Sequence, residues 1–319
     1  MNRITPQDEN ELVEFVRGAA KALRQCEIVS AGTKRSLGRP VEAEDILDLS
    51  RLSGIVNYEP DELIFTAMAG TPLVEAMAAL NERKQMLAFS PVDWATLYGK
   101  ESGRATLGGI VGANACGSRK VKSGTVRDHL IGCRFVNGAG EAIKAGGRVA
   151  KNVTGFDLPK IMCGAYGTLG ALTELTFRVV PAPARAAAIA IRDCTPTDGL
   201  SVLREAAALA LEPTGLAYLP AAMCSESPSM TASGLAQTNG VALIRVEGAE
   251  DPIIDKLARL RNVFSKLDVV TLGDDTTAAL FQEIGSGTPL AGRDTDIWRL
   301  SVPTTHAYAA ACESEAQFW

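Results

Sequence analysis

Apolar residues at Leu12, Val13, Phe15, Val16, Ala19, Ala20 and Leu23 recur at helical spacing and predict an amphipathic helix over 8–24. Residues 27–31 predict a short strand that runs into the loop Gly32-Thr33-Lys34-Arg35-Ser36-Leu37-Gly38. Apolar runs at 46–49 and 63–69 predict further strands. Thr71-Pro72 predicts a helix start, with Thr71 as N-cap and Pro72 in the first helical position, continuing to Leu80. Residues 169–180 alternate apolar and β-branched side chains as one long strand, stopped by Pro181. Beyond Pro-Ala-Pro-Ala at 181–184 the pattern predicts strand 187–192, helix 197–211, strand 215–219 and a Ser-rich loop at 225–238. Strand 241–247, helix 252–266, strand 269–272, helix 276–284 and strand 297–302 follow. This is an α+β chain whose second part, 182–319, reads as a ferredoxin-like sheet, with 181–184 as the linker from residues 1–181.

Composition sharpens the division. Fifteen of the 30 glycines fall between 102 and 170. Residues 1–180 hold 22 basic and 20 acidic side chains, whereas 181–319 hold 10 and 17. Residues 100–151 alone carry ten basic against three acidic residues, so positive charge and glycine coincide. A solvated charged face fits this, and so does a main-chain cradle for an anionic cofactor. Nucleic acid fits poorly, because aromatics make up 5% of the chain and none is interleaved with these cations. Collagen, low-complexity disorder and coiled coil are excluded on composition. No apolar run reaches the roughly 18–20 residues of a membrane span, and the polar first ten residues carry no secretory h-region. Seven scattered cysteines without Cys-x-x-Cys argue against a disulfide framework, a zinc ribbon or cysteine-ligated clusters, and a reduced, cytoplasmic setting is expected.

Several chemistries lack their residues. There is no P-loop motif, no Gly-x-Gly-x-x-Gly opening a helix and no Gly-x-Ser-x-Gly elbow. The two histidines, His129 and His306, cannot build a His-rich metal site. Main-chain anion binding remains, and three segments suit it. The 32–38 loop offers successive amides with the Thr33 and Ser36 hydroxyls. The segment Ala105-Thr106-Leu107-Gly108-Gly109-Ile110-Val111-Gly112-Ala113-Asn114-Ala115-Cys116-Gly117-Ser118 is small and apolar, suited to passage beside a flat ring. The third is Gly164-Ala165-Tyr166-Gly167-Thr168-Leu169-Gly170-Ala171-Leu172-Thr173-Glu174, a turn feeding a strand. Each alone also reads as an ordinary glycine-rich loop. Tyr166 fits either an approach to a cofactor or a cap on the glycine turn. Trp94, Trp298 and Trp319 read as packing residues, and Cys116, Cys133 and Cys163 as small core residues.

Taken in order, Gly-Thr-Lys-Arg-Ser-Leu-Gly-Arg-Pro, Ala-Thr-Leu-Gly-Gly-Ile-Val-Gly-Ala-Asn-Ala-Cys-Gly, Ser-Gly-Thr-Val-Arg-Asp-His-Leu-Ile-Gly and Lys-Asn-Val-Thr-Gly-Phe-Asp-Leu-Pro-Lys, with the third segment, resemble the FAD-binding domain of the vanillyl-alcohol oxidase/p-cresol methylhydroxylase (PCMH) type. Gly54-Ile55-Val56-Asn57-Tyr58 and Gly70-Thr71-Pro72-Leu73-Val74 are further clues. Within that superfamily the chain is most similar to the FAD-binding subunits of bacterial glycolate oxidases. The likeness covers about residues 25–181 closely and Trp298-Arg299-Leu300 more weakly.

The resemblance implies a two-subdomain PCMH-type FAD-binding domain over 1–181 and a ferredoxin-like α+β cap over 182–319. It implies that Gly32, Thr33, Lys34, Arg35, Ser36, Leu37 and Gly38 hold the FAD pyrophosphate. Thr106, Gly108, Gly109, Asn114 and Gly117 would line the flavin and its ribityl chain, and Gly167, Thr168, Gly170 and Leu172 would close over the cofactor. Lys34, Arg35 and Lys151 would add positive charge. The superfamily sometimes joins its flavin to a histidine; the 32–38 loop has none, so non-covalent FAD is expected. The chain ends at Gln317-Phe318-Trp319 without an Asn-Pro-Gly motif, so a shortened cap is expected. Related subunits that oxidise 2-hydroxy acids carry His-rich metal sites, which this chain cannot supply. The implied function is FAD-linked oxidation of glycolate to glyoxylate, or relay of its electrons, in a complex with a sister FAD subunit and an iron–sulfur subunit, peripheral to the membrane if associated with it at all. A self-sufficient D-2-hydroxy-acid (D-lactate) dehydrogenase and a non-catalytic structural subunit are the alternatives.

Overall fold

The computed structural model describes residues 2–147 and 156–306; the 151–155 motif with Lys151, Cys312 and Trp319 lie outside the described residues. The first part of the chain forms β1 (Asn2–Ile4), α1 (Glu9–Lys21), β2 (Cys26–Val29), β3 (Asp45–Asp48), β4 (Ile55–Glu59), β5 (Ile64–Met68), α2 (Leu73–Glu82) and β6 (Gln85–Met86). Then come α3 (Leu107–Ala113), α4 (Lys120–Ser123), α5 (Val126–His129), β7 (Leu130–Val136), β8 (Ala142–Gly146), α6 (Leu158–Met162), β9 (Ala171–Arg178) and β10 (Val180–Pro181). The remainder forms β11 (Arg185–Ile191), α7 (Pro196–Ala208), β12 (Gly215–Pro220), α8 (Ala221–Glu226), α9 (Pro228–Ala232), β13 (Gly240–Gly248), α10 (Glu250–Val263), β14 (Val269–Leu272) and α11 (Asp274–Ser286). Two compact units result: Met1–Cys116 with Gly124–Ala182, and Gly117–Ser123 with Pro183–Trp319. Among the described residues no helix is long and apolar enough to cross a membrane.

The first unit carries a parallel sheet in the order β1-β3-β2 and an antiparallel sheet in the order β4-β5-β9-β7-β8. The Asp8 carboxylate caps α1 by accepting from the Asn10 and Glu11 amides, both at 2.9 Å. Leu12 of α1 then packs on Leu47, Leu49, Leu52, Val136 and Ala171. Glu9 fixes the helix start to the larger sheet, accepting from the Thr173 hydroxyl at 2.7 Å and pairing with Arg134. The main core lies on the other side, where α2 and α3 bury Leu73, Ala76, Leu80, Leu107, Ile110 and Val111 against Phe65, Leu175 and Phe177 of β5 and β9. Trp94 packs against this core, and Cys116, Cys133 and Cys163 are buried in it.

The second unit is a βαββαβ arrangement with antiparallel order β12-β13-β11-β14, the ferredoxin-like order. The pleat sends Ile189 and Ile191 of β11 and Ala242, Ile244 and Val246 of β13 to one face, where α7 and α10 cover them. Ala188, Ala190, Val241 and Leu243 go to the opposite face, covered by α8, α9 and α11. Burial on both faces is why β13 is apolar almost throughout.

Three expectations need correction. Thr71 is not the cap of α2: Pro72 occupies that position, and the Thr71 hydroxyl instead donates to the Gly54 carbonyl at 3.1 Å and accepts from its amide at 2.9 Å. The Ser-rich stretch 225–238 contains α9 and the end of α8, because Ser227 caps the Met230 amide at 3.0 Å and Met230 is buried. Residues 297–302 form no strand, and Trp298 is 80% exposed rather than packed.

Candidate functional site

The turn after β2 carries the first predicted segment. Gly32 and Gly38 take φ of +69° and +85°, which lets the chain reverse tightly. Inside it the Arg35 amide donates to Gly32 O and the Leu37 amide to Lys34 O. The amides of Thr33, Lys34 and Ser36 meet no acceptor among the described residues, which leaves donors for an anion. Thr33 is buried, Leu37 packs on the main core and Ser36 is exposed. Arg35 is committed to Glu27, donating at 2.5 and 2.7 Å, and that hydrogen-bonded pair raises its pKa.

Lys34 differs. Its ammonium is buried and has no hydrogen-bond partner among the described residues. Burial lowers its pKa from the usual lysine value, and the negative charge of Asp93 offsets part of that effect. Asp93 is itself engaged, accepting from the Ala95 amide at 3.0 Å and the Gly103 amide at 2.8 Å. A buried cation without a paired anion costs free energy.

The second segment builds α3. The Thr106 hydroxyl caps the Gly109 amide at 3.3 Å, the Leu107 amide donates to Thr71 O, and the Gly108 amide donates to Ala69 O at 2.7 Å. A Cβ on Gly108 would stand 2.8 Å from Ala69 O, so this glycine serves close packing. Gly109 has ordinary room, with Lys34 Nζ 4.0 Å from where its Cβ would be. Asn114 ends the helix in the left-handed conformation, and its side-chain oxygen accepts from the Cys163 thiol at 3.5 Å. Gly117 falls in the second unit, its carbonyl accepting from the Lys120 amide.

The third segment docks on the same helix. The Gly164 amide donates to Val111 O and the Tyr166 amide to Gly112 O, both at 2.9 Å, while Gly167 lies close to the Ile28 side chain. The structure thus brings Lys34, Gly109 and the 164–167 turn around α3. Thr168 is exposed and donates to Ala165 O. Gly170, at φ +152°, would press a Cβ against Val136 O, and Leu172 is buried in the main core; both serve the sheet.

A cleft of about 530 Å³ opens beside the first turn, lined by Gly32, Arg35, Ser36, Lys100, Arg104 and Arg3 among others. Arg3 is paired with Asp48. Lys100 and Arg104 were not singled out from the sequence; the signal available was the excess of basic residues from 100 onward. Asp93 gave no signal, since its relation to Lys34 is a tertiary one. A smaller cavity, about 180 Å³, is lined by Ile28, Asn137, Gly138, Gly167, Thr168 and Gly170 among others.

Residues 3–146 match the FAD binding domain family. The chain is 34% identical over 294 residues to glycolate oxidase subunit GlcE of Escherichia coli (strain K12), covering 92% of this chain and 73% of that protein. It is 35% identical over 138 residues to D-lactate dehydrogenase of Anaerostipes hadrus, covering 43% and 27%. It is 31% identical over 144 residues to glycolate oxidase subunit GlcD of Bacillus subtilis (strain 168), covering 45% and 29%. Among solved structures, alkyldihydroxyacetonephosphate synthase superposes with a TM-score of 0.69 at 18% identity, over 89% of this chain and 54% of that one. Substrate-bound p-cresol methylhydroxylase gives 0.65 at 15% identity, over 84% and 57%. At those identities the likeness is one of fold, and the chain spans little more than half of either structure.

Proposed function

Because the chain belongs to the family of the glycolate oxidase subunit GlcE, we propose that its first unit holds FAD without a covalent bond and that the protein works as the FAD-carrying subunit of a complex oxidising glycolate or a related 2-hydroxy acid. The single observation that carries this reading is the buried Lys34 ammonium, unpartnered among the described residues and 4.0 Å from where a Cβ on Gly109 of the second glycine segment would stand. The residues present suit the group: FAD is a dianion at its pyrophosphate, and a buried cation beside free turn amides is what such a charge needs.

Bound there, FAD supplies the two-electron acceptor for the substrate's alcohol carbon. The chain's residues bind and orient. The amides of Thr33, Lys34 and Ser36 would donate to its phosphates, Lys34 would neutralise negative charge, and Gly109 would keep the space beside it open. Asp93 ties Ala95 to Gly103 through its carboxylate, and its charge favours the Lys34 cation. No histidine stands in the 32–38 turn, and His129 is buried beside Phe89, which supports a dissociable cofactor.

With two histidines in the chain, a His-rich metal site of the kind expected in hydroxy-acid-oxidising relatives cannot be assembled. This supports electron relay alongside a sister FAD subunit. The chain has no Cys-x-x-Cys, so any iron–sulfur clusters of the proposed complex would sit in another subunit.

The test begins with the visible spectrum of the purified protein and an acid precipitation. A yellow protein that releases all its flavin into the supernatant is expected. A folded protein that is colourless and refuses added FAD overturns the reading, and flavin left on the polypeptide overturns its non-covalent part. Anaerobic glycolate should bleach the flavin only when the sister subunits are added; bleaching of the isolated chain would make it self-sufficient.

A further inference from the structure

Tyr166 joins two features that packing does not explain. Its φ is +52°, in the left-handed region that glycine occupies freely and tyrosine does not. The residue is nevertheless 62% exposed, so burial does little to offset the strain. The positions around it that need such geometry, Gly164 at +83° and Gly167 at +77°, are glycines. A tyrosine that merely capped the turn would lie folded onto it.

Its placement suggests what the ring is for. The Tyr166 amide is fixed to Gly112 O, at the end of the apolar α3 segment, and the adjoining Gly167 lies against Ile28 of the strand that leads into the Lys34 turn. The backbone therefore carries this aromatic on the turn that docks on the end of α3, beside the strand that leads into the Lys34 turn. The phenol is also within electrostatic reach of Tyr98, whose pKa burial raises and Tyr166 raises further. Tyr98 lies two residues before Lys100 of the 530 Å³ cleft. Strained backbone clusters at ligand clamps, and here it coincides with an exposed aromatic on a turn docked to α3.

We propose that Tyr166 is an aromatic platform that stacks on a planar heterocyclic ring of the bound dinucleotide. The inference rests on the reading that this unit holds FAD. The chemistry is a π face on a π face, so the ring matters and the hydroxyl does not. Isoalloxazine and adenine both present such a face.

The experiment uses the full chain stripped of flavin, as wild type, Tyr166→Phe, Tyr166→Leu and Tyr166→Gly. FAD is titrated with flavin fluorescence as the readout, and riboflavin and ADP are titrated separately. Wild type and Tyr166→Phe should bind FAD equally and quench its emission. Tyr166→Leu and Tyr166→Gly should bind about tenfold more weakly with less quenching, and flavin-free Tyr166→Gly should melt no lower than wild type. Weakened riboflavin binding places the contact on isoalloxazine; weakened ADP binding places it on adenine. Equal FAD binding by all four overturns the proposal, as does Tyr166→Phe behaving like Tyr166→Gly, or a lowered melting temperature for the flavin-free glycine variant. Failure of wild type itself to bind FAD is a separate outcome, which overturns the parent reading and this one with it.

Discussion

A methyl group added to Gly109 would stand 4.0 Å from the ammonium of Lys34, so a residue read as a flavin-lining glycine and one read as a pyrophosphate-binding lysine are neighbours across 75 positions of chain. The ammonium is buried there without a partner among the described residues, and Asp93 acts on it only through space. The flavin-free protein therefore carries an electrostatic cost that a dianionic ligand removes.

Lys34→Met should separate cost from benefit. Losing an unpaired buried cation should stabilise the flavin-free protein by about 1–2 kcal/mol, while FAD affinity should fall by roughly 2 kcal/mol, or about thirtyfold. The sign with pH follows from the lowered pKa. Between that lowered value and the usual lysine value the unfolded chain binds more protons than the folded one, so stability rises with pH. The penalty is complete below that window and fades through it. Thermal melts of flavin-free protein from pH 7 to 10 should show this slope in wild type and lose it in Lys34→Met. Equal FAD affinity in the two proteins would remove Lys34 from the site.

Gly108 and Gly109 are adjacent and should respond oppositely to alanine. At Gly108 the new Cβ would meet Ala69 O at 2.8 Å and Ala69 Cβ at 3.0 Å, and α3 must shift, at about 1–3 kcal/mol. At Gly109 the nearest atom is Thr106 Oγ1 at 3.4 Å, an ordinary contact, and alanine favours the helix. Gly108→Ala should melt lower without flavin. Gly109→Ala should melt as wild type or higher, yet bind FAD more weakly because its methyl fills the space before Lys34. Melting curves and FAD titrations of the flavin-free proteins decide it; a Gly109→Ala protein with undiminished FAD affinity would take that glycine out of the site.

What the sequence revealed follows periodicity. The helix over 8–24 appears as α1, and the apolar run at 241–247 as β13, because both bury a continuous face. Thr71 carried the composition of a helix cap, but its hydroxyl is used by Gly54, a tertiary partner that local pattern cannot show. The serines of 225–238 mask the buried Met230, so the pattern there predicts a loop where α9 forms. The 297–302 run has strand-like residues, yet Trp298 meets no core. In the site, the glycine segments were visible as motifs. The difference between Gly108, pressed on Ala69, and Gly109, open to Lys34, was not, since it depends on what each hypothetical Cβ would touch. Arg35 and Lys34 looked alike in sequence; only the fold ties one to Glu27 and leaves the other buried.

In the second unit, Glu247 offers a test of a different kind. Its carboxylate accepts from Arg119 at 2.6 and 2.9 Å and lies 3.5 Å from Arg245 Nε. Arg245 is 5% exposed, donates to the Thr214 hydroxyl and carbonyl at 3.1 and 2.8 Å, and sits 4.5 Å over the Phe281 ring. Burial pushes the Arg245 pKa down to about 10, so the cation depends on its neighbour's charge. Burial also opposes ionisation of Glu247, but the hydrogen bonds from Arg119 and the charges of both arginines outweigh it and hold its pKa below the usual carboxylate value. Glu247→Gln keeps the shape and removes the charge, leaving two buried or half-buried arginines uncompensated. The second unit should lose about 3–5 kcal/mol, read as a lower denaturant midpoint by circular dichroism. Wild type should keep this stabilisation above the usual carboxylate pKa and lose it as pH falls through the lowered one, a dependence that Glu247→Gln should lack. An unchanged midpoint at neutral pH would mean that Arg245 is held by Thr214 and Phe281 alone.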